Sequence, residues 1–335
     1  MKIKFLKLVI AFVFIIPLSS CSTKQKEVYI GVSFGVGEAI RWEKEKGYME
    51  EAANKLGIKI ETRLNKTDTP LTQTEDCIEM IDSGIDVLIL IPRDAFNVDE
   101  ILDYAKKKNV PVISYARTIM NNPIDLIVGY DSNRIGQSMG QYLSETAYQG
   151  DYILLSGDPN DNNALDLYNG AMRYLEPIKD NINIILDTSV PNWSADEAKT
   201  LVRDAIISNH GNVDAILAPN DKIAGACAEV IKEFNMDHPV IITGMDADLD
   251  AIKRIVNGEQ NMTLSLDLKE LANVAIQEAY NIATGNPTTV NSEVDTGYTK
   301  VINAHLIAGK VIVKENIDKE IIEAGIYTHA EVYGN

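Results

Sequence analysis

The chain has 335 residues, of which 45% are hydrophobic and 24% are charged, a balance typical of a globular protein long enough for two domains. Its 31 lysines and arginines stand against 49 aspartates and glutamates, which gives a formal net charge of −18. Because proteins bind nucleic acid through clustered basic residues, this charge argues against nucleic acid as a partner.

Residues 1–20 have the pattern of a secretory signal peptide. Three lysines flank the start of an apolar stretch at 8–18, which is shorter than the ~20 residues that a membrane-spanning helix needs. The Leu-Ser-Ser-Cys sequence that ends at Cys21 resembles a bacterial lipobox, which implies cleavage before Cys21 and a lipid on its sulfur. We therefore expect an extracytoplasmic protein, anchored to the bacterial cell membrane by lipidated Cys21 through a polar tether at 21–27. A plain signal peptide with a chance cysteine is the alternative.

From Val28 onward, short apolar runs rich in β-branched residues alternate with longer amphipathic runs. The β-rich runs are, in chain order, VYIGVSF, IKIETRL, DVLILI, PVISYA, LIVGY, YILLS, INIILDT, VDAILA, VIITG and MTLSL. Alternation of this kind predicts βαβ units, and nearly continuous apolar strands predict a parallel sheet covered by helices on both faces.

An internal repeat divides the chain into two similar halves. DVLILIP at 86–92 resembles VDAILAP at 213–219, and each is followed, after the same spacing, by a proline and a further β-rich run. YIGVS at 29–33 resembles YILLS at 152–156 at about the same offset. Three matches in the same order predict an α/β protein of two Rossmann-like lobes.

The residues that follow each strand mark a candidate ligand site, because open parallel sheets bind ligands outside the carboxyl ends of their strands. Polar side chains follow corresponding strands of both halves. They are Arg41, Arg93 and Arg117 in the first half, and Asp161, Asn163, Asn220 and Asp246 in the second. Groups of this kind bind hydroxyls, and we expect them to face one another across a cleft between the lobes.

The only two tryptophans also follow strand ends. Trp42 lies near the start of the first helix, and Trp193 lies in the loop VPNW after the INIILDT strand. An indole face packs well on the C–H face of a sugar ring, so both are candidate ligand contacts, with core packing as the alternative.

Neither a metal site nor a cofactor site is predicted. Beyond Cys21, the remaining cysteines Cys77 and Cys227 lie in helical patterns and are expected to be buried free thiols, and the four histidines are scattered. GVSFG at 31–35 fits the G-x-S-x-G pattern of hydrolases, but Ser33 lies within the first strand instead of on a strand-to-helix turn. We therefore expect a binding protein and not an enzyme.

Six segments carry a family resemblance: RWEKE, GIDVLILIP, PVISYAR, DPNDNNA, APNDKIAG and GMDADLDAIKRI. The chain resembles the D-xylose-binding proteins, a group within the type I sugar-binding proteins of ABC transporters, from about Val28 to about Pro287. The resemblance implies the type I periplasmic binding protein fold, with a monosaccharide in the cleft between the lobes. It implies that the sugar hydroxyls are bound by Arg41, Arg117, Asp161, Asn163, Asn220 and Asp246. It also implies that Trp42 and Trp193 sandwich the pyranose ring.

The resemblance further implies discontinuous lobes joined by a three-segment hinge. We expect an N-terminal lobe of residues 28–131 and 267–298. The C-terminal lobe would then comprise residues 132–266 and 299–335. The three crossings are predicted near 131–132, 265–267 and 298–301.

Two positions depart from the pattern of the D-xylose-binding group. The group has Asp-Arg at the end of the fourth strand, where this chain has Ala116 and Arg117. It has lysine in the crossing after the MTL-type strand, where this chain has Leu266. A hydrogen bond to a charged group contributes ~1.5–3 kcal/mol, so the sugar could be D-xylose or a related aldose. Arg93 is a candidate compensating donor.

Two partners are compatible with this family resemblance. The liganded protein could deliver its sugar to the membrane permease of an ABC transporter. Alternatively, it could present the closed, liganded form to the extracellular domain of a sensor histidine kinase in a two-component system. Both functions use the same mechanism, in which the ligand favours the closed state of the two lobes.

Overall fold

The computed structural model describes residues 27–35, 40–65, 70–236 and 238–334. The predicted signal peptide and Cys21 lie outside these residues. Within these ranges, every helix is too short or too polar to cross a membrane.

The N-terminal half of the chain builds a parallel sheet with helices on both faces. Its elements are β1 (Tyr29–Phe34), α1 (Ile40–Leu56), β2 (Lys59–Leu64), α2 (Pro70–Asp82), β3 (Val87–Ile91), α3 (Asp99–Lys108), β4 (Val112–Tyr115) and β5 (Leu126–Tyr130). All residues of β1, β3 and β4 are buried, as expected for central strands that are covered on both faces.

The middle of the chain builds the second lobe around another parallel sheet. Its elements are α4 (Ser132–Thr146), β6 (Gly150–Ser156), α5 (Asn162–Leu175), β7 (Ile182–Ser189), α6 (Ala195–Ser208), β8 (Ala215–Leu217), α7 (Asp221–Phe234), β9 (Ile241–Ile242), α8 (Leu249–Asn257) and β10 (Met262–Ser265). The strand order β7-β6-β8-β9 repeats the order β2-β1-β3-β4 of the first sheet. The predicted fold of two Rossmann-like lobes is therefore confirmed.

The C-terminal part returns to both lobes. Its elements are α9 (Leu268–Thr284), β11 (Ser292–Val294), β12 (Ile302–Ile307), β13 (Lys310–Val313) and α10 (His329–Tyr333). Helix α9 packs beside α1 on one face of the first sheet, and α2 and α3 cover the other face. In the second lobe α4 and α5 cover one face, while α6 and α7 cover the other.

Two equivalent aspartates, one in each lobe, have the same structural role in the best-matched part of the sequence repeat. The Asp86 carboxylate accepts a hydrogen bond from the backbone N–H of Tyr29 at 2.9 Å, which holds the start of β1 beside β3. In the second lobe the Asp214 carboxylate accepts from the N–H of Asp151 at 2.7 Å, at the start of β6. The repeated aspartates thus supply partners for backbone donors at the amino ends of the two sheets.

The chain crosses between the lobes three times. It leaves β5 for α4 at Asp131, and it leaves β10 for α9 at Leu266–Asp267. The predicted third crossing near 298–301 is wrong, because Ile302–Ile307 forms β12 and pairs with β5 in the sheet of the first lobe. The crossing lies at 308–309 instead, after which β13 pairs with β10 of the second lobe.

The two cysteines in the described ranges are buried free thiols, as the sequence predicted. Burial raises the pKa of Cys77 and of Cys227 to about 12, so neither thiol ionises near neutral pH.

Candidate functional site

The loops that follow the strands of the two lobes meet in a closed cleft. Arg117, two residues after β4, places its Nε 3.7 Å from Oδ2 of Asp161 in the other lobe. The amide of Asn163 donates a hydrogen bond of 2.8 Å to the backbone carbonyl of Ala116. The first contact joins two residues that were predicted to line the cleft, and the second joins a predicted residue to the backbone beside Arg117, so the structure brings these strand ends together.

Arg41 is held by a buried carboxylate on its own helix. Its Nε donates to Oε1 of Glu45 at 2.5 Å, and the other oxygen of Glu45 accepts from the hydroxyl of Tyr115. Glu45 is 0% exposed, so this network fixes the guanidinium at the mouth of the first sheet. Burial alone would lower the pKa of Arg41, but the charges of Glu45 and other nearby groups raise it overall, and Arg41 stays charged.

The two tryptophans belong to different lobes. Trp42 is 6% exposed and packs in the core of the first lobe, with its ring centroid 6.0 Å from that of Phe34 and the Arg41 guanidinium 4.8 Å above it. Trp193 is half-buried in the second lobe, where its ring lies directly against Gly157 and its side chain lies beside the Asp161 carboxylate. Trp42 therefore fills core space as well as facing Arg41, and Trp193 is the less enclosed of the two.

Asp161 and Asn220 cap the helices that follow their strands. Asp161 Oδ1 accepts from the N–H of Asn163 at 3.0 Å, which leaves Oδ2 directed at Arg117. Asn220 Oδ1 accepts from the N–H of Ile223 at 2.9 Å, which leaves its amide nitrogen as the group to donate. Capping fixes the orientation of both side chains at the edge of the second sheet.

Asp221, next to Asn220, is wholly buried behind the cleft. Its carboxylate accepts hydrogen bonds of 2.9 Å from Gln260, from Thr263 and from the backbone N–H of Asp248. This network ties α7 to β10 and to the loop before α8. Asp221 thus supports the loop that carries Asp246.

Asp246 lies opposite Arg41 on the second lobe. Its carboxylate accepts no hydrogen bond from any residue that the structure describes, and its charge interacts with Arg41 across the cleft. Burial raises the pKa of Asp246 to about 7, although Arg41 opposes this shift. An acidic group with unused hydrogen-bonding capacity therefore faces a fixed guanidinium.

Unusual backbone conformations cluster at this cleft. Non-glycine residues with positive φ include Ala116 at 58°, Trp193 at 52° and Asp246 at 108°. Conformations of this kind are costly for residues other than glycine and asparagine, and they are concentrated at functional sites. The strained backbone supports a functional role for the ends of β4, β7 and β9.

The two positions that depart from the D-xylose-binding pattern make apolar contacts. Ala116 packs against the core of the first lobe, and Leu266 is 8% exposed in the core of the second. Arg93 contributes a backbone carbonyl, which accepts a hydrogen bond of 3.3 Å from Arg117. The predicted role of its side chain stays a prediction.

Three buried polar side chains at the cleft were not predicted: Glu45, Tyr115 and Tyr130. Glu45 could have been found, because it lies four residues after Arg41 and so on the same face of α1. Tyr130 ends β5 and obeys the same strand-end rule as Arg117. Tyr115 gives no sequence signal, because a tyrosine within an apolar strand is ordinary core composition.

The GVSFG segment places its serine inside the first sheet. Ser33 is buried within β1, where its hydroxyl accepts from Gln73 at 3.2 Å. Within the described ranges, no three histidine, cysteine, aspartate or glutamate side chains form a group that could hold a metal ion.

Comparison with known proteins gives the family. The periplasmic binding protein domain family matches residues 30–287. The D-xylose-binding periplasmic protein of Haemophilus influenzae is 31% identical over 94% of this chain and 95% of the relative. The D-xylose-binding periplasmic protein of Escherichia coli is 30% identical over 94% of this chain and 96% of the relative.

Solved structures agree with the sequence comparison. An ABC transporter solute-binding protein from Clostridium phytofermentans with bound β-D-glucose has a TM-score of 0.83 and 25% identity, covering 91% of this chain and 99% of that chain. A carbohydrate transporter solute-binding protein from Chloroflexus aurantiacus in complex with D-glucose has the same score and identity, covering 92% and 98%. With two lobes of the same topology and a closed polar cleft between them, this chain belongs to the type I sugar-binding family of periplasmic binding proteins.

Proposed function

We propose that this protein binds a monosaccharide between its lobes and delivers it to the permease of an ABC transporter, without catalysing a reaction. One observation carries the proposal. Arg41 and Arg117 on one lobe and Asp161, Asn163 and Asp246 on the other converge on the same cleft. Guanidinium, amide and carboxylate groups arranged in this way are the partners that sugar hydroxyls need.

The aromatic residues support a pyranose as the ligand. Trp193 offers a half-buried indole at the cleft side of the second lobe, and Trp42 lies under Arg41 in the first. Aromatic faces stabilise the apolar C–H face of a sugar ring, while the polar groups at its edge discriminate between epimers. D-xylose or a closely related aldose is therefore the proposed ligand.

Titration of the mature protein with D-xylose, D-ribose, D-glucose, D-galactose and L-arabinose tests this proposal. Calorimetry should show micromolar or tighter binding of at least one of them, and tryptophan fluorescence should change on binding because Trp193 is only half-buried in the second lobe. Asp246→Ala should abolish that binding, whereas Asp250→Ala, on the exposed side of α8, should leave it unchanged. Millimolar or weaker binding of all five sugars would contradict the proposal.

Restoring the family residues tests which sugar fits. Ala116→Asp together with Leu266→Lys returns one carboxylate and one ammonium to the cleft. If D-xylose is bound as in the D-xylose-binding group, its affinity should rise about tenfold or more, since each charged hydrogen bond contributes ~1.5–3 kcal/mol. A loss of D-xylose affinity in the double variant would show that the apolar pair serves a different sugar.

We also propose that the mature protein is attached to the membrane by lipid on Cys21. A Cys21→Ala variant should appear in the soluble fraction of cells, whereas the unmodified chain should stay with the membranes. Equal release of both proteins would contradict the anchor.

Co-purification identifies the partner of the anchored protein. If the protein delivers its sugar for transport, it should co-purify with a permease and not with a histidine kinase. The reverse result would favour the sensing alternative.

A further inference from the structure

Tyr130 occupies a position between the two lobes. It is the last residue of β5 and lies on the same face of the sheet as Leu126 and Val128, the face that is covered by α1. Its ring packs against the core of the first lobe and also against the core of the second. The side chain thus reaches across the point where the lobes join.

The hydroxyl of Tyr130 is buried and has no hydrogen-bond partner among the residues that the structure describes. Most buried hydroxyls are paired, because an unpaired one costs roughly 1–3 kcal/mol. Two other tyrosines with buried hydroxyls show the usual arrangement. Tyr115 donates its hydroxyl to Glu45, and Tyr152 donates its hydroxyl to the carbonyl of Ala147.

Several charged groups around Tyr130 belong to the proposed sugar site or border it. The Arg41 guanidinium lies 5.7 Å from the centre of its ring, and the charges of Arg41, Glu45, Asp267 and Asp246 act on its hydroxyl. The core of the second lobe that its ring contacts includes Leu266, the position where the D-xylose-binding group has lysine. A polar atom is therefore present in a region that lost its ammonium group.

We propose that the hydroxyl of Tyr130 hydrogen bonds directly to a hydroxyl of the bound sugar and so helps to determine which sugar is bound. This inference rests on the proposed function, and it assigns to Tyr130 part of the polar capacity that Leu266 lacks. A phenol both donates and accepts one hydrogen bond, in contrast to an ammonium group, which only donates. The site would therefore select for the position and orientation of one particular hydroxyl.

The test replaces only the oxygen atom. Tyr130→Phe should weaken binding of the tighter of D-xylose and D-glucose about tenfold, because a sugar hydroxyl loses its partner in a closed site. The same variant should leave the thermal midpoint of the unliganded protein unchanged or slightly higher, since it removes an unpaired buried hydroxyl. Tyr152→Phe is the matched control, and it should lower the midpoint and leave the affinity unchanged.

Monodeoxy analogues of the tighter-binding sugar identify the contact. The analogue that lacks the contacted hydroxyl should bind the unmodified protein about tenfold more weakly and should be indifferent to Tyr130→Phe. The other analogues should lose affinity on the substitution as the parent sugar does. A uniform loss for all analogues would contradict direct contact with the sugar.

The two proposals can fail separately. If the unmodified protein binds its sugar and Tyr130→Phe binds it equally well, the role of Tyr130 is refuted and the proposed function stands. A midpoint that falls as far in Tyr130→Phe as in Tyr152→Phe would show that the hydroxyl serves the fold and would also refute the role. If the unmodified protein binds neither D-xylose nor D-glucose, Tyr130→Phe is compared with it on whichever of the five sugars it does bind, and if it binds none of the five, both proposals fall together.

Discussion

The two lobes share one strand order, yet they present opposite charges to the cleft. The first lobe contributes guanidinium groups, Arg41 and Arg117, whereas the second contributes the acids Asp161 and Asp246 and amide groups. The repeat therefore preserves the scaffold and not the chemistry at its strand ends. Opposite charges let the closed lobes contact each other directly, and they also offer a sugar hydroxyl both donors and acceptors.

Each lobe also stabilises its polar residues in its own way. In the first lobe, Arg41 has a buried carboxylate, Glu45, one helical turn away. In the second lobe, the buried acid is Asp221, and neutral donors from Gln260 and Thr263 hold it. The first arrangement is an ion pair and the second is a hydrogen-bond network, so removal of one member should have a different cost in each.

The largest expected effect is in the first lobe. Glu45→Ala leaves the buried Tyr115 hydroxyl and the Arg41 guanidinium, whose side chain is 28% exposed, without their partner, which should cost about 3 kcal/mol. The free energy of unfolding, measured with urea, should fall by that amount. Glu43→Ala, on the exposed side of the same helix, should change it by less than about 0.5 kcal/mol. Equal effects would mean that the Arg41–Glu45 pair contributes nothing specific.

In the second lobe, Asp221→Asn should cost about 2 kcal/mol, because an amide cannot accept all three hydrogen bonds that the carboxylate accepts. The repeat supplies the control. Asp94 follows β3 as Asp221 follows β8, but it is half-buried and accepts from the N–H of Phe96. Asp94→Asn should therefore lower the free energy of unfolding, measured with urea, by well under half as much as Asp221→Asn does. A larger effect of Asp94→Asn than of Asp221→Asn would contradict the proposed role of the Asp221 hydrogen-bond network.

The acid at the cleft makes stability depend on pH. The pKa of Asp246 is about 7 in the folded protein, against an ordinary value of 3.8, so the folded state binds more protons between these values. Its contribution to stability is complete below pH 3.8 and is lost as the pH rises through 7. In Asp246→Asn the thermal midpoint should fall less between pH 5 and pH 8 than in the unmodified protein. Asp250→Asn, at an exposed position, should keep the original slope.

The smallest expected effect is the coupling between the lobes. The Arg117 side chain is 23% exposed and Asp161 is buried, but their charged atoms lie 3.7 Å apart, which is longer than a hydrogen bond, so their interaction should be about 1 kcal/mol or less. A double-mutant cycle of Arg117→Met and Asp161→Asn, measured by unfolding of the unliganded protein, gives this value. The coupling should decrease in high salt. A coupling of zero at low salt would mean that the lobes are apart in the unliganded protein.

The sequence was sufficient for the parts of the fold that rest on continuous apolar strands. The runs DVLILIP and VDAILAP became β3 and β8 at equivalent positions of the two sheets. The strand β12 was missed, because Asn303 and His305 interrupt its apolar pattern where one face is only partly covered. Because β12 was missed, the third crossing was predicted before this strand instead of after it.

The residues that meet at the cleft were predictable where a strand end carries a charged or amide side chain. Arg117 and Asp161 were selected in this way, and the structure brings them together, while their contact with a sugar stays a prediction. Contacts within a lobe could not be read from strand ends: the role of Glu45 depends on Tyr115, which is 70 residues away in sequence. The pairing of a tyrosine hydroxyl is likewise a property of the packed structure, so the difference between Tyr130 and Tyr152 has no sequence signal.

The three crossings between the lobes lie side by side. The N–H of Asp131 donates to the carbonyl of Ile307 at 3.1 Å, and Gly309 packs against Leu266. A body joined by a single flexible chain could swing and twist freely, but three adjacent connections resist twisting and sliding. We therefore expect the relative motion of the lobes to be mainly a rotation about one axis that passes through the crossings. The distance between the exposed residues Phe96, in the first lobe, and Leu165, in the second, should therefore describe the whole movement. If a second distance between the lobes changed independently of it, the motion would not be a rotation about one axis.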